Sequence, residues 1–190
     1  MNDGKNLQML SGGQAVVESL KVEGVKHVFG LIGSATLELF DALYDAKDIR
    51  FIGVRDERTG THMADGYARA LRKPGVCMAT SGPGATNLVT GLATAHLDSS
   101  PVVAITGQVP TDYIGKDAFQ ETDAIGVLIP VTKYCVMPTT AAEVPYCVKK
   151  LFYLSNTGRP GPVLLDMPKD VQQETIDFDY PKKIFLESIH

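Results

Sequence analysis

Tryptophan is absent from the 190 residues and cysteine nearly so: Cys77, Cys135 and Cys147 are odd in number, widely spaced and never form a CxxC pair. That argues against a disulfide framework and a cysteine-built metal site, and fits a reducing, cytoplasmic setting. A basic excess is missing too. Eighteen Lys and Arg stand against 22 Asp and Glu, a net charge of −4, and the basic residues are scattered apart from short pairs such as Arg72-Lys73, Lys149-Lys150 and Lys182-Lys183. No nucleic-acid partner is expected from that pattern. No apolar run is long enough to span a membrane, and Met1 opens a polar stretch in place of a charged segment followed by an apolar one. Neither a membrane association nor a signal peptide is expected.

Hydrophobic residues make up 44% of the chain, enough for a sizeable core, while 18 Gly and 11 Pro fall largely between periodic segments. Helices alternate with short apolar strands. Ser11 is placed to cap a helix from Gly13 to about Glu23, and His27 to Phe29 reads as a strand. Ser34 is placed to cap a second helix to about Asp45, with Leu37, Phe40 and Leu43 inward. Ile49 to Val54 reads as a strand, and Arg58 to Leu71 as a long helix stopped by Lys73-Pro74-Gly75. Val76 to Thr80 is a strand, followed by a turn at Ser81-Gly82-Pro83-Gly84 and a helix from Ala85 to Leu97. Pro101 to Thr106 carries the clearest buried-strand signal, with Pro at its first position. Residues 107–119 lack periodicity and read as a long functional loop. A short helix near Thr122 to Leu128 and a strand over Thr132 to Val136 follow. Thr140 with Glu143 forms a capping-box signature for a helix to Ser155, with Pro145 shifting its start. Val163 to Asp166 is the last strand, closed by Pro168. The expectation is a three-layer α/β domain over residues 1–170. It has a six-stranded, mostly parallel sheet and helices on both faces. Residues 171–190 read as an acidic tail or the beginning of an interdomain linker.

In an open parallel sheet, ligands gather beyond the carboxyl ends of the strands. Four segments fall there: Gly30-Leu31-Ile32-Gly33-Ser34, Arg55-Asp56-Glu57, Ser81 to Asn87, and Gly107-Gln108-Val109-Pro110. The first is neither a GxGxxG fingerprint nor a Walker loop, which argues against a nicotinamide enzyme. Gly82-Pro83-Gly84 leads into a helix and suits either helix N-terminal amides facing a phosphate or a plain tight turn. Glu57 starts a helix, where a carboxylate is favoured by the dipole; it serves either as a helix-flanking charge or as a functional acid. Thr61, Ala64, Gly66, Ala68 and Ala70 make a small-residue helix suited to close approach by a neighbour, in this chain or in a second copy. His62 and His96 read as local or exposed residues. Asp166 and Asp170 read as structural or solvent-facing, without companions for a metal site. Ser81 lacks the context of a hydrolase nucleophile.

The segments Arg55-Asp56-Glu57, DGYAR at 65–69, KPGVCMATSGPGATN at 73–87, ITGQVP at 105–110, GKDAFQET at 115–122 and GRPGPVLLDMPKDVQ at 158–172 occur in an order and spacing that closely resembles a known family. It is the amino-terminal, pyrimidine-binding domain of thiamine-diphosphate enzymes of the acetolactate synthase group, and the resemblance spans roughly residues 10–172. It implies that Glu57 bonds the ring nitrogen of the cofactor aminopyrimidine. That contact favours the imino tautomer, which removes the thiazolium C2 proton and gives the carbanion that attacks a 2-keto acid. A carboxylate suits that role because it shares a proton with a ring nitrogen, which an amide does not. The resemblance further implies that Pro83, Gly84 and Asn87 line the pyrimidine side, that Gly33 lies near the reacting end, and that Phe119 and Gln120 face the substrate. Leu31 and Gln108 are lesser contributors.

Gly30-Leu31-Ile32-Gly33-Ser34 departs from the Gly-Tyr-Pro-Gly-Gly common in these synthases and is similar to the sulfoacetaldehyde acetyltransferases. Cofactor binding therefore carries over better than the exact substrate. The family holds diphosphate and Mg²⁺ through a Gly-Asp-Gly segment and an Asn in a carboxyl-terminal domain, and many members bind FAD in a middle domain. Neither is found here, so the expectation is a fragment or one subunit of a split enzyme, inactive alone, with no metal ligands of its own. It is expected to work as a homodimer with a diphosphate-binding domain or subunit. The leading activity is a carboligase joining pyruvate, after decarboxylation, to a second 2-keto acid. The alternatives are a related decarboxylase or sulfoacetaldehyde acetyltransferase, and a non-catalytic structural or regulatory domain.

Overall fold

The computed structural model describes residues 8–184. The chain runs β1 (Gln8–Ser11), α1 (Gly12–Val22), β2 (His27–Gly30), α2 (Leu37–Asp45), β3 (Arg50–Gly53), α3 (Glu57–Leu71) and β4 (Gly75–Ala79). It continues through α4 (Pro83–Asn87), α5 (Val89–Leu97), β5 (Val102–Gln108), α6 (Ala124–Leu128) and β6 (Tyr134–Val136). The last elements are α7 (Val144–Asn156), β7 (Val163–Pro168), α8 (Lys169–Gln173) and β8 (Thr175–Phe178). Six strands form one sheet in the order β3-β2-β4-β5-β7-β6, every pairing parallel. The expected three-layer α/β domain is therefore present.

Strand periodicity sorts the core onto the two faces. Val76 and Met78, Val103 and Ile105, and Val163, Leu165 and Met167 meet α1, α2 and α7 through Val16, Leu20, Leu39, Val148 and Leu151. Cys77, Ala104 and Leu164 meet α3, α5 and α6 through Ala64, Leu92, Ala95 and Leu128. Both faces are covered, so the central strands are buried along their whole length and largely apolar rather than alternating. Small residues draw α3 close: a Cβ on Gly75 would lie 2.0 Å from the carbonyl oxygen of Ala64. The Ala64 and Ala68 face is thus buried inside this chain. The face that α3 leaves open carries Thr59, His62, Met63, Gly66 and Ala70.

Several local expectations are corrected. The chain from Val171 to Phe178 is part of the domain, not a tail. Val171 to Gln173 complete α8, and β8 pairs antiparallel with β1 in a separate two-stranded sheet, Leu10 opposite Ile176. Beyond it, Tyr180 donates to Glu23 at 2.6 Å under the ammonium of Lys149, which sits 4.9 Å from the Tyr180 ring. Residues 185–190 of the expected tail lie outside the described residues. Ser34 makes no side-chain cap; it begins a 3₁₀ turn, Ser34–Thr36, that leads into α2. That offset leaves Leu37 half exposed and buries Leu39 with Phe40 and Leu43. The Thr140 capping box does not form. Glu143 accepts from the backbone of Thr139 at 2.8 Å, and Pro145 sits in the first turn of α7, after a 3₁₀ turn. Ser11, by contrast, caps α1 in a complete box with Gln14.

Candidate active site

The strand order reverses between β2 and β4: the chain steps outward from β2 to β3, then crosses back to lay β4 on the other side of β2. Such a reversal opens a crevice at the carboxyl ends. Gly30 to Ser34 leave β2 on one side of it, and Ser81 to Gly84 leave β4 on the other. Thr80 fills the floor. A Cβ on Gly33 would lie 2.3 Å from the Thr80 Cβ, and one on Gly84 would lie 2.8 Å from its methyl. The Thr80 hydroxyl accepts from the backbone N–H of Ala35 at 3.3 Å. Glycine is required at 33 and 84 because two chain segments close on one side chain.

Glu57 is the first residue of α3, and Asp56 caps that helix through the N–H of Arg58. Glu57 is 8% exposed, which sets it apart from a solvated helix-end carboxylate. Asn87, the last residue of α4, donates from Nδ2 to Glu57 Oε2 at 2.9 Å. Glu57 Oε1 faces Gly84, where an added Cβ would approach to 3.4 Å. One carboxylate oxygen is therefore anchored and the other turned toward the glycine wall. Pro83 is exposed at the start of α4, and Leu31 is half-buried, its N–H donating to the Met78 carbonyl at 3.3 Å. Glu57, Gly33, Pro83, Gly84, Asn87 and Leu31 thus converge on one crevice.

The second part of the rim lies over β5 and β7. Residues 109–122 form a long loop between β5 and α6, with Phe119 exposed at 82%. Gln120 is half-buried with a positive φ of 56°. Its carbonyl rests on Gly82, where a Cβ would be 2.5 Å away. That contact brings the loop against the turn that carries Pro83 and Gly84. Gln108 is not open to the crevice. It is 4% exposed beneath the loop, with its amide bonded to Asp166 and to the loop backbone. Burial pushes the Asp166 carboxyl up to about 6, against hydrogen bonds from Thr106 and Gln108 that favour the charged form. Lys169, at the start of α8, reaches across to the Ser34 carbonyl at 3.2 Å and puts a positive charge on the same rim.

Asp166, expected to be structural or solvent-facing, is structural, buried and bonded to Thr106 and Gln108, while Lys169 carries no sequence signal of its own. The sequence sign of Asp166's burial is a lone carboxylate inside an otherwise apolar strand. Asp170 accepts from the N–H of Thr111 at 3.1 Å and holds the start of the loop. His62 is exposed, and His96 lies at the end of α5, where Arg159 binds its carbonyl.

A carboxylate held through one oxygen by an amide, with its other oxygen facing two glycine walls, can accept a hydrogen bond from a flat group placed against those walls. The chain belongs to the family described as "Thiamine pyrophosphate enzyme, N-terminal TPP binding domain", whose model matches residues 10–127. Among its relatives, the probable acetolactate synthase large subunit of Methanocaldococcus jannaschii is 53% identical over 90% of this chain and 29% of that protein. The acetolactate synthase large subunit of Corynebacterium glutamicum is 49% identical over 94% of this chain and 29% of its own length. The acetolactate synthase of Arthrospira platensis is 50% identical over 94% of this chain and 31% of its own length. The chain thus spans about a third of the length of the curated relatives it matches.

Proposed function

We propose that this chain supplies the pyrimidine side of the active site of an acetolactate-synthase-type carboligase, joining decarboxylated pyruvate to a second 2-keto acid. The observation that carries the reading is the Glu57 carboxylate, buried at a helix N-terminus, anchored through one oxygen by Asn87 and open through the other toward Gly84. Thiamine diphosphate, when bound, would supply the chemistry of decarboxylation and carbon–carbon bond formation. The residues of the chain bind and orient it. Gly33 and Gly84 would leave room for the cofactor's ring edge, Pro83 would bound it, and Glu57 Oε1 would share a proton with its ring nitrogen. Asn87 keeps Oε2 occupied, so the carboxylate presents a single oxygen and a fixed angle. Phe119 and Gln120, on the loop that closes over the Gly82 turn, bound the substrate end and exclude water.

Among the described residues no group of three or more His, Cys, Asp or Glu is arranged to hold a metal ion. The described residues do not fit a magnesium site. In this reading the diphosphate, Mg²⁺ and any FAD belong to another domain or subunit of a cytoplasmic enzyme. The α3 face bearing Thr59, Met63, Gly66 and Ala70 meets a second copy. Sedimentation equilibrium of the chain is expected to show a concentration-dependent dimer, and a monomer mass at all concentrations would remove the homodimer. Leu31 and Ile32 in place of the synthase pattern keep the acetyltransferase reading alive, which substrate turnover by the complete enzyme separates from the synthase.

The test is Glu57→Gln in the complete enzyme, read by hydrogen–deuterium exchange at the cofactor C2 position. Exchange is expected to slow by about 100-fold or more while the cofactor stays bound, the usual scale for removing a positioned proton-transfer group. Unchanged exchange with bound cofactor would remove Glu57 from the mechanism.

A further inference from the structure

The loop of residues 109–122 has no regular structure beyond a 3₁₀ turn at Thr111–Tyr113, and much of it is exposed. Its ends are nevertheless joined by one buried side chain. Gln108 Oε1 accepts from the N–H of Val109 at 2.9 Å, where the loop begins. Gln108 Nε2 donates to the carbonyl of Thr122 at 2.9 Å, where it ends. The same nitrogen donates to Asp166 Oδ2 at 3.1 Å, and Asp166 Oδ1 accepts from the Thr106 hydroxyl at 2.7 Å.

Hydrogen-bond polarity makes this arrangement one-way. The Val109 N–H needs an acceptor, so the amide oxygen must face it. The amide nitrogen is then left facing two acceptors, the Thr122 carbonyl and the Asp166 carboxylate. A flipped amide would oppose donor to donor at Val109 and acceptor to acceptor at Thr122. Asp166 locks the orientation, and the two donors that reach it offset part of its cost of burial. Register explains how the three residues meet. Thr106 pairs with Asp166 and Gln108 with Pro168 in adjacent parallel strands, and positions two apart point to one face. That face lies under the loop and α6, and Gln108, Asp166, Ile114 and Thr122 border a cavity of about 190 Å³ there.

We propose that Gln108 and Asp166 are positioning residues. Gln108 clasps the two ends of the substrate-side loop, Asp166 fixes the clasp, and together they hold Phe119 and Gln120 over the crevice. The clasp stands on the hydrogen bonds alone; its consequence for turnover rests on the carboligase reading. The start of the loop has a second anchor in Asp170, whereas Gln108 is the side chain that holds the Thr122 carbonyl. Loss of the clasp therefore frees the end of the loop more than its beginning.

Hydrogen exchange of the chain, without cofactor, reads this directly. In Gln108→Met, which keeps the length and removes the polar groups, the amides of Ala118, Glu121 and Ala124 are expected to lose about tenfold protection. Those of Tyr113 and Ile114 should change less, and those of β4 not at all. Asp166→Asn, which retains an acceptor for Thr106 but confronts Gln108 Nε2 with either a donor or a weaker acceptor, is expected to give the same gradient at smaller amplitude. Unchanged protection at Ala118 and Glu121 overturns the clasp. So does equal loss in the loop and β4 in both variants, because the network would then be a core brace. In the complete enzyme, Gln108→Met is expected to raise KM for the 2-keto acid about tenfold and leave cofactor retention unaltered. A freed loop with unaltered KM would keep the clasp and reject its role in substrate positioning.

Discussion

The two parts of the rim are built by opposite means. The β2/β4 crevice is made by packing: Gly33 and Gly84 close on Thr80, and Glu57 is buried against them with one amide contact. The β5/β7 part is made by hydrogen bonds from buried polar side chains to an exposed loop, with Gln108 and Asp166 beneath and Phe119 outside. Packed walls define a ring-shaped space with little room to adjust, which suits a cofactor that stays. A clasped loop can open at a hydrogen bond's expense and close again, which suits a substrate that comes and goes.

The sharpest way to break this contrast is Gly33→Ala. Its Cβ would meet the Thr80 Cβ, which no rotamer moves aside, so the backbone must shift. A destabilisation of about 3 kcal/mol is expected, the upper end for overpacking, and a Tm lower by about 6–12 °C in thermal unfolding. An unchanged Tm would show the crevice to be as adaptable as the loop.

The hydrogen-bonded part should reveal itself through pH. Asp166 is raised from its ordinary 3.8 to about 6 by burial, so the folded chain binds that proton more tightly than the unfolded chain. Its favourable contribution is complete below about pH 4 and is lost as pH rises through about 6, a change on the order of 2 kcal/mol. Denaturant titrations of the protein and of Asp166→Asn, compared from pH 4 to 7, should differ in slope in that sense. A carbon-detected titration of the Asp166 carboxyl near 4 would contradict it. The smallest effect is expected at Phe119. Exposed at the loop tip, it should change stability by less than about 0.5 kcal/mol when replaced by Ala, while KM for substrate in the complete enzyme rises. A large loss of stability would mean that the loop is packed, not clasped.

The crevice was largely legible in the amino-acid sequence. Glu57 following a strand, the Gly82-Pro83-Gly84 turn and Gly33 after a strand all carry local signals, and parallel topology puts such segments together. Less was legible elsewhere, for physical reasons. β1 and β8 are four residues each, and their pairing joins segments more than 160 residues apart, for which neither strand carries a local sign. Asp166 became interpretable only with the register that sets it beside Thr106, because its partners lie about 60 residues away. The contact between Gly82 and Gln120 depends on a loop path with no periodicity to read. Ser34 and Thr140 fit helix-cap statistics, but short 3₁₀ turns took those positions, and local propensity yields to such tertiary detail.

Which way the Glu57 carboxylate faces when the cofactor is present decides between a functional acid and a helix-flanking charge. A crystal structure of the complete enzyme with thiamine diphosphate bound tests it most directly. Glu57 Oε1 is expected within about 3 Å of the aminopyrimidine ring nitrogen, with Asn87 still on Oε2. A Glu57 turned to solvent, with the ring nitrogen bonded to water or to another side chain, would contradict it.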